Sequence, residues 1–170
     1  MTPCDVAVIG GGPAGSTLAT LLGKQGRKVV LFEKETFPRF HIGESLLPYS
    51  MPVFRETGFF DILNSGKYIK KYGARFVDGS TESEICFEFK NGLDPNENLA
   101  FEVPRAEFDS DLLKWARECG VEVSQPDRVT RLDFLADHVA HFHEMNGDLI
   151  RINRRTATTS SRALAPASIW

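Results

Sequence analysis

Val6-Ala7-Val8-Ile9 is an unbroken apolar run that ends in Gly10-Gly11-Gly12 and passes into Pro13-Ala14-Gly15-Ser16. A short apolar run closed by glycine predicts a buried strand, and the pattern after it predicts a helix from about Ala14 to Lys24. Lys28 to Phe32 predicts a second strand, with Glu33 at its C-terminal end. Lys34 to Pro52, rich in Pro and Gly and without sustained period, predicts an ordered loop ending in a helix start. A second helix is expected from about Met51 to Asn64, then a strand from Tyr72 to Val77. Ile85, Phe87 and Phe89 alternate with Cys86 and Glu88, and Leu99, Phe101 and Val103 alternate beyond the polar stretch 91–98. The two runs predict a hairpin. Phe108, Leu112, Trp115 and Ala116 recur at helical spacing between Arg105 and Glu118, Gly120 stops that helix, and Val121 to Val123 predicts a strand. Val129 to Phe134 and His138 to His143 predict another hairpin around Leu135-Ala136-Asp137. From Asn146 to Trp170 the pattern fades into a Thr/Ser/Ala-rich stretch, which predicts an untethered tail. No internal repeat is present.

The order is strand, glycine loop, helix, strand, then an excursion into antiparallel strands, then a helix and strand returning to the first sheet. That order predicts an α/β, Rossmann-like doubly wound sheet with an inserted antiparallel β layer. The glycines have separate duties in such a loop. Gly10 turns the chain out of the strand, Gly12 lets backbone approach a pyrophosphate, and Gly15 lets the helix pack on the sheet. The helix then aims its N-terminal amides at the anion, and Ser16 is expected to add a hydroxyl donor. Glu33 lies eighteen residues beyond Gly15. An acid there accepts hydrogen bonds from both hydroxyls of an adenosine ribose and disfavours a 2′-phosphate. The loop alone does not distinguish NAD from FAD.

Bulk properties narrow the classes. At 170 residues with 42% hydrophobic content, the chain can bury a real core. A net charge of −3 supplies no basic field for nucleic acid. Nine acidic and two basic residues lie between Asp78 and Asp109, whereas no acid and four arginines follow Asp148, which predicts a solvated acidic face and a polar tail. No apolar stretch reaches membrane-spanning length, and the first strand begins too near Met1 for a secretory signal, so a cytoplasmic protein is expected. Cys4, Cys86 and Cys119 lack metal-ligand spacing and predict reduced thiols. His141 and His143 share one face of a strand without a third ligand, so no metal site is expected.

Phe37-Pro38-Arg39-Phe40-His41-Ile42-Gly43-Glu44-Ser45-Leu46-Leu47-Pro48 is far more particular than the glycine loop. Together with Val103-Pro104-Arg105-Ala106-Glu107-Phe108-Asp109, Leu112-Leu113 and the glycine-loop start, it resembles the flavin-dependent halogenases, especially those acting on phenol or pyrrole groups, relatives of the single-component FAD monooxygenases. The resemblance covers about Asp5 to Phe142. It implies FAD as cofactor, a flavin reductase as partner, and an aromatic substrate, free or carrier-bound. It further implies that His41 to Pro48 is a strap along the flavin, that Arg105 lies near the ribityl and phosphate groups, and that Lys71 lies in the tunnel beyond. The cofactor-binding set so implied is Gly10, Gly12, Pro13, Ala14, Gly15, Ser16, Glu33, Lys34, Arg39, Ile42, Gly43, Glu44, Ser45, Arg105 and Val129, with Lys71 catalytic. In that family reduced FAD and dioxygen oxidise halide to hypohalous acid. A lysine ammonium then makes the halogen more electrophilic by hydrogen bonding, or the free amine forms a haloamine.

Each carried-over residue also has an ordinary reading. Along the strand Lys71 shares a side with Gly73 and Arg75, and Lys70 shares one with Tyr72, Ala74 and Phe76. Periodicity therefore does not select Lys71; the resemblance does. Arg105 has Glu102 and Asp109 as alternative partners, and Glu44 has backbone amides. Beyond about His143 the family's later motifs are missing, as a truncation or reading-frame change would produce. The expected organisation is an FAD-binding portion at 1–145, containing the start of a substrate-domain insertion at about 68–104, and a non-family tail at 146–170. The sheet is expected to be incomplete and the chain inactive alone. A flavin monooxygenase or reductase, and a non-catalytic nucleotide-binding fragment, are the competing readings.

Overall fold

The computed structural model describes residues 4–134, 139–144 and 149–153, with side chains to residue 132. The described residues divide into two compact units, one formed by those up to Phe40 and those from Ala106 on, the other by His41–Arg105.

The first unit is built on a parallel sheet of β1 (Val6–Ile9), β2 (Val29–Phe32) and β8 (Glu122–Ser124), ordered β1-β2-β8. Val6 pairs with Val29 and Ile9 with Phe32, while Leu31 pairs with Val123 on the other side. All four residues of β2 are buried. A central strand covered on both faces needs an unbroken apolar run rather than an alternating one. On one face Val29 and Leu31 join Val8 in a cluster with Ala19 of α1 (Pro13–Lys24) and Leu113 and Ala116 of α4 (Arg105–Glu118). On the other face Val30 and Phe32 pack with Cys4, Val129 and Leu132. Burial pushes the Cys4 thiol up to about 11, so it is a poor nucleophile near neutrality. Helix α4 ends where Gly120 takes φ +88° and the Val121 amide returns to the Ala116 carbonyl.

The same unit carries an antiparallel sheet of β9 (Val129–Phe134), β10 (Val139–Glu144) and β11 (Leu149–Asn153). The expected hairpin of the first two strands is present, with its turn outside the described residues. Strand β11 corrects the reading of everything beyond Asn146 as tail. It pairs antiparallel with β10 from Val139↔Asn153 to His143↔Leu149.

The second unit centres on β7 (Ala100–Val103), flanked antiparallel by β3 (Glu44–Ser45) and β4 (Ile69–Lys71). Two expectations fail here. The predicted helix from Met51 to Asn64 is two pieces, α2 (Met51–Thr57) and α3 (Phe60–Leu63), because Gly58 takes φ +79° between them. The predicted hairpin of the two alternating runs does not form. Strand β6 (Glu84–Glu88) pairs instead with β5 (Gly73–Val77), and β7 belongs to the other sheet. The β5–β6 pair leaves Phe76, Ile85 and Phe87 more than half exposed.

Candidate nucleotide site

The site in the first unit grows from the C-terminal ends of its parallel strands. Gly10 follows β1 with φ +102°, a conformation that side chains resist, and its amide donates to the Phe32 carbonyl at 2.8 Å. A Cβ on Gly15 would lie 1.9 Å from the Gly10 carbonyl oxygen. Loop and helix can meet only through a glycine at 15. A Cβ on Gly12, in contrast, meets nothing within 4 Å. The backbone there is bare and faces open space, as a phosphate cradle requires. Gly12 caps α1, no side chain caps the helix, and no acid lies in its first turn. The amides of Ala14 and Gly15 are thus left for a ligand, while Pro13 lacks one to satisfy.

Ser16 departs from the expectation. Its side chain is fully buried, and its hydroxyl donates 2.8 Å to the Gly11 carbonyl. That hydroxyl braces the loop from behind and is not directed at an anion.

Glu33 directly follows β2 and is only 4% exposed. Its Oε2 accepts from the Gly11 amide at 2.7 Å and its Oε1 from the Glu35 amide at 2.8 Å. These bonds fix the carboxylate and tie the end of β2 to the loop after β1. Each oxygen keeps a further lone pair for a ribose hydroxyl. Lys34, next in the chain, is exposed. Arg39 stacks over Phe37, with 4.9 Å from guanidinium to ring centre. Its Nε lies 2.8 Å from Glu35 Oε2 without hydrogen-bond alignment, and its Nη2 lies 4.0 Å from buried Asp109. Val129 begins β9 half-buried against Cys4, Val30 and Phe32.

In the second unit the strap residues are held from two directions. Glu44 Oε1 accepts from Arg105 Nη1, so the strap is a partner of Arg105. Gly43 runs close to β7, where an added Cβ would sit 3.2 Å from the Val103 carbonyl. Ile42 is 80% exposed. Lys71 Nζ donates to Ser45 Oγ at 2.5 Å and lies 3.8 Å from Glu102 Oε1. Register explains this choice: Ser45 pairs with Glu102 and Lys71 with Ala100, so all four share one face, whereas Lys70 pairs with Phe101. Cross-strand pairing, rather than alternation along β4, puts Lys71 and not Lys70 beside Ser45.

Among the described residues no cluster of His, Cys, Asp and Glu could hold a metal ion. Among them, too, no helix is long and apolar enough to cross a membrane.

A glycine loop opening a helix, with a buried acid one strand over, defines a dinucleotide-binding βαβ unit. The profile of the FAD binding domain matches residues 3–145, and the chain belongs to that family. Its cofactor is FAD, and the bare backbone at Gly12, the uncapped start of α1 and the fixed Glu33 carboxylate fit it. The chain is 42% identical to the flavin-dependent halogenase armH3 of Armillaria mellea over 134 residues, 78% of this chain and 26% of that protein. It is similar in structure to a flavoprotein/dehydrogenase from Cytophaga hutchinsonii, with TM-score 0.80 and 38% identity, covering 87% of this chain and 37% of that one. It is also similar to the myxobacterial chondrochloren halogenase CndH, with TM-score 0.78 and 32% identity, covering 91% and 36%. The chain therefore spans between a quarter and two fifths of these relatives.

Proposed function

We propose that this chain is the flavin-binding part of an FAD-dependent halogenase acting on a phenol or pyrrole, free or carrier-bound. The observation that carries the reading is the Lys71–Ser45 hydrogen bond, which joins the one lysine the family resemblance selects to the Gly-Glu-Ser strap. The likeness to armH3 and CndH supports the same reading. FAD, when bound and reduced by a partner flavin reductase, would give dioxygen two of the four electrons it takes up, the other two coming from halide as it becomes hypohalous acid. The protein's own part is then electrostatic. Lys71 presents an ammonium whose N–H polarises hypohalous acid, and the aromatic carbon takes the halogen as water leaves. Glu33 holds ribose, the amides of Ala14 and Gly15 hold pyrophosphate, and Arg105 is oriented by Glu44. We assign residues 1–145 to FAD binding with a substrate-domain insertion at about 68–104. The three free cysteines suit a reducing cytoplasm.

The likeness to the Cytophaga flavoprotein/dehydrogenase favours a second reading, a flavin monooxygenase or reductase. Grafting residues 4–134 in place of the matching segment of a curated halogenase separates the two. With reduced FAD, dioxygen and bromide, the graft should give brominated phenol or pyrrole, detected by mass. A hydroxylated product formed equally well without halide would favour the second reading.

A further inference from the structure

Ser45 closes the Gly43-Glu44-Ser45 strap, and the resemblance to the halogenases implies that it touches the flavin. Its side chain is engaged with a lysine instead. Ser45 is exposed on β3, pairs with Glu102 of β7, and shares a face with Lys71 of β4. Its Oγ accepts from Lys71 Nζ at 2.5 Å. A serine hydroxyl has two lone pairs and one O–H. The contact with Nζ uses a lone pair, and among the described residues the O–H donates to no acceptor. An ammonium has three N–H groups, of which this contact uses one. Glu102 Oε1, at 3.8 Å from Nζ, is too far to take a second.

Two donors 2.5 Å apart can converge on one small acceptor. An atom about 2.8 Å from each completes a triangle of ordinary hydrogen-bond lengths. Ser45 is exposed and the Lys71 side chain is 22% exposed, so such an atom reaches both from solvent. An O–H whose oxygen accepts from an ammonium is polarised and donates more strongly. The Glu102 carboxylate beside Nζ disfavours a resident anion such as halide. The acceptor that suits this pair is therefore neutral on arrival and gains negative charge only as it reacts.

We propose that Ser45 is a second catalytic donor beside Lys71, with its O–H bonded to the oxygen of hypohalous acid. This rests on the halogenase reading above and adds a proton relay to it. As an electron pair of the aromatic ring forms the carbon–halogen bond, the halogen–oxygen bond breaks and its pair stays on oxygen. The Ser45 proton passes to that oxygen, which leaves as water, and Ser45 Oγ takes a proton from Lys71 Nζ. The ring proton goes to solvent, from which Lys71 recovers its own. The two donors thus stabilise the charge that develops on the departing oxygen.

The grafted halogenase tests it through Ser45→Ala and Ser45→Thr, with Lys71→Ala as reference. Ser45→Ala should lower kcat for halogenated product about 100-fold, as loss of one donor to a developing oxyanion does, with KM for the aromatic unchanged. Ser45→Thr keeps the hydroxyl and should restore most of that rate. On the 170-residue chain, flavin fluorescence titration should show Ser45→Ala binding FAD like the parent, which also establishes that the variant folds. Parental yield from Ser45→Ala, a loss that Ser45→Thr does not restore, or weakened FAD binding in Ser45→Ala would overturn the assignment. Product lost in Lys71→Ala but kept in Ser45→Ala removes Ser45 alone, whereas parental yield in Lys71→Ala removes the halogenase reading of this site with it.

Discussion

Gly12→Val should abolish FAD binding and leave the fold standing, while Gly15→Ala should lose the fold itself. The two glycines stand three residues apart in one loop and differ in what surrounds them. An added Cβ at 12 meets only open space, and Gly12 has φ −68°, which any residue adopts. Valine there costs the protein little, yet its methyls fill the volume that a pyrophosphate needs. A loss of at least about 100-fold in affinity, or about 2.7 kcal/mol, is expected. At 15 the added Cβ would lie 1.9 Å from a backbone carbonyl that cannot swing aside. Relief requires α1 to move off β1, which opens the cluster of Val8, Ala19, Val29 and Leu31. A cost of about 3 kcal/mol or more takes a large share of a domain's marginal stability. Thermal unfolding by circular dichroism and flavin fluorescence titration read the two effects separately. A Gly12→Val protein binding FAD like the parent, or a Gly15→Ala protein melting like it, would show that the loop is not built this way.

Lys71→Ala, in the grafted halogenase, should abolish halogenated product while FAD still binds and dioxygen is still consumed. In the proposed role Lys71 would act on halogen already oxidised, so its removal should leave the flavin's own chemistry in place. The loss should be on the order of 10²–10⁴-fold, the range for a single positioned polar catalyst. Lys71→Arg is not a mild substitute. The wider, planar guanidinium does not put its charge at the point the ammonium occupies beside Ser45 Oγ and Glu102, nor does it deprotonate to a free amine. Product at parental yield in Lys71→Ala would make the residue a surface cation held by Ser45 and Glu102.

The βαβ start was legible because its signals are local. A buried run, three glycines and an acid at the next strand end are each written within a few residues of where they act. The pairing of β5 with β6 was not, because alternation tells that a strand has two faces and says nothing of its neighbour. The partner is set by close approach: a Cβ on Gly73 would fall 2.3 Å from the Phe87 carbonyl, so only a glycine lets those backbones meet. Two-residue β3 is too short to show any period. Leu149-Ile150-Arg151-Ile152-Asn153 is a strand by its apolar content, but the polar stretch after it masked a run that needs β10 beside it. Within the site, Ser16 was placed in the right turn and on the wrong side of it, since the helix phase sends its hydroxyl inward to Gly11. Lys71 needed cross-strand register.

Whether this chain carries an FAD site is tested most directly by titrating it with FAD, following flavin fluorescence, and competing with ADP and NADP. Glu33, buried just after β2 and fixed by the Gly11 and Glu35 amides, sets a fixed negative charge against a 2′-phosphate on the ribose. Saturable one-to-one FAD binding, displaced by ADP and only weakly by NADP, is the expected result. NADP binding more tightly than FAD, or FAD binding that ADP cannot displace, would contradict it.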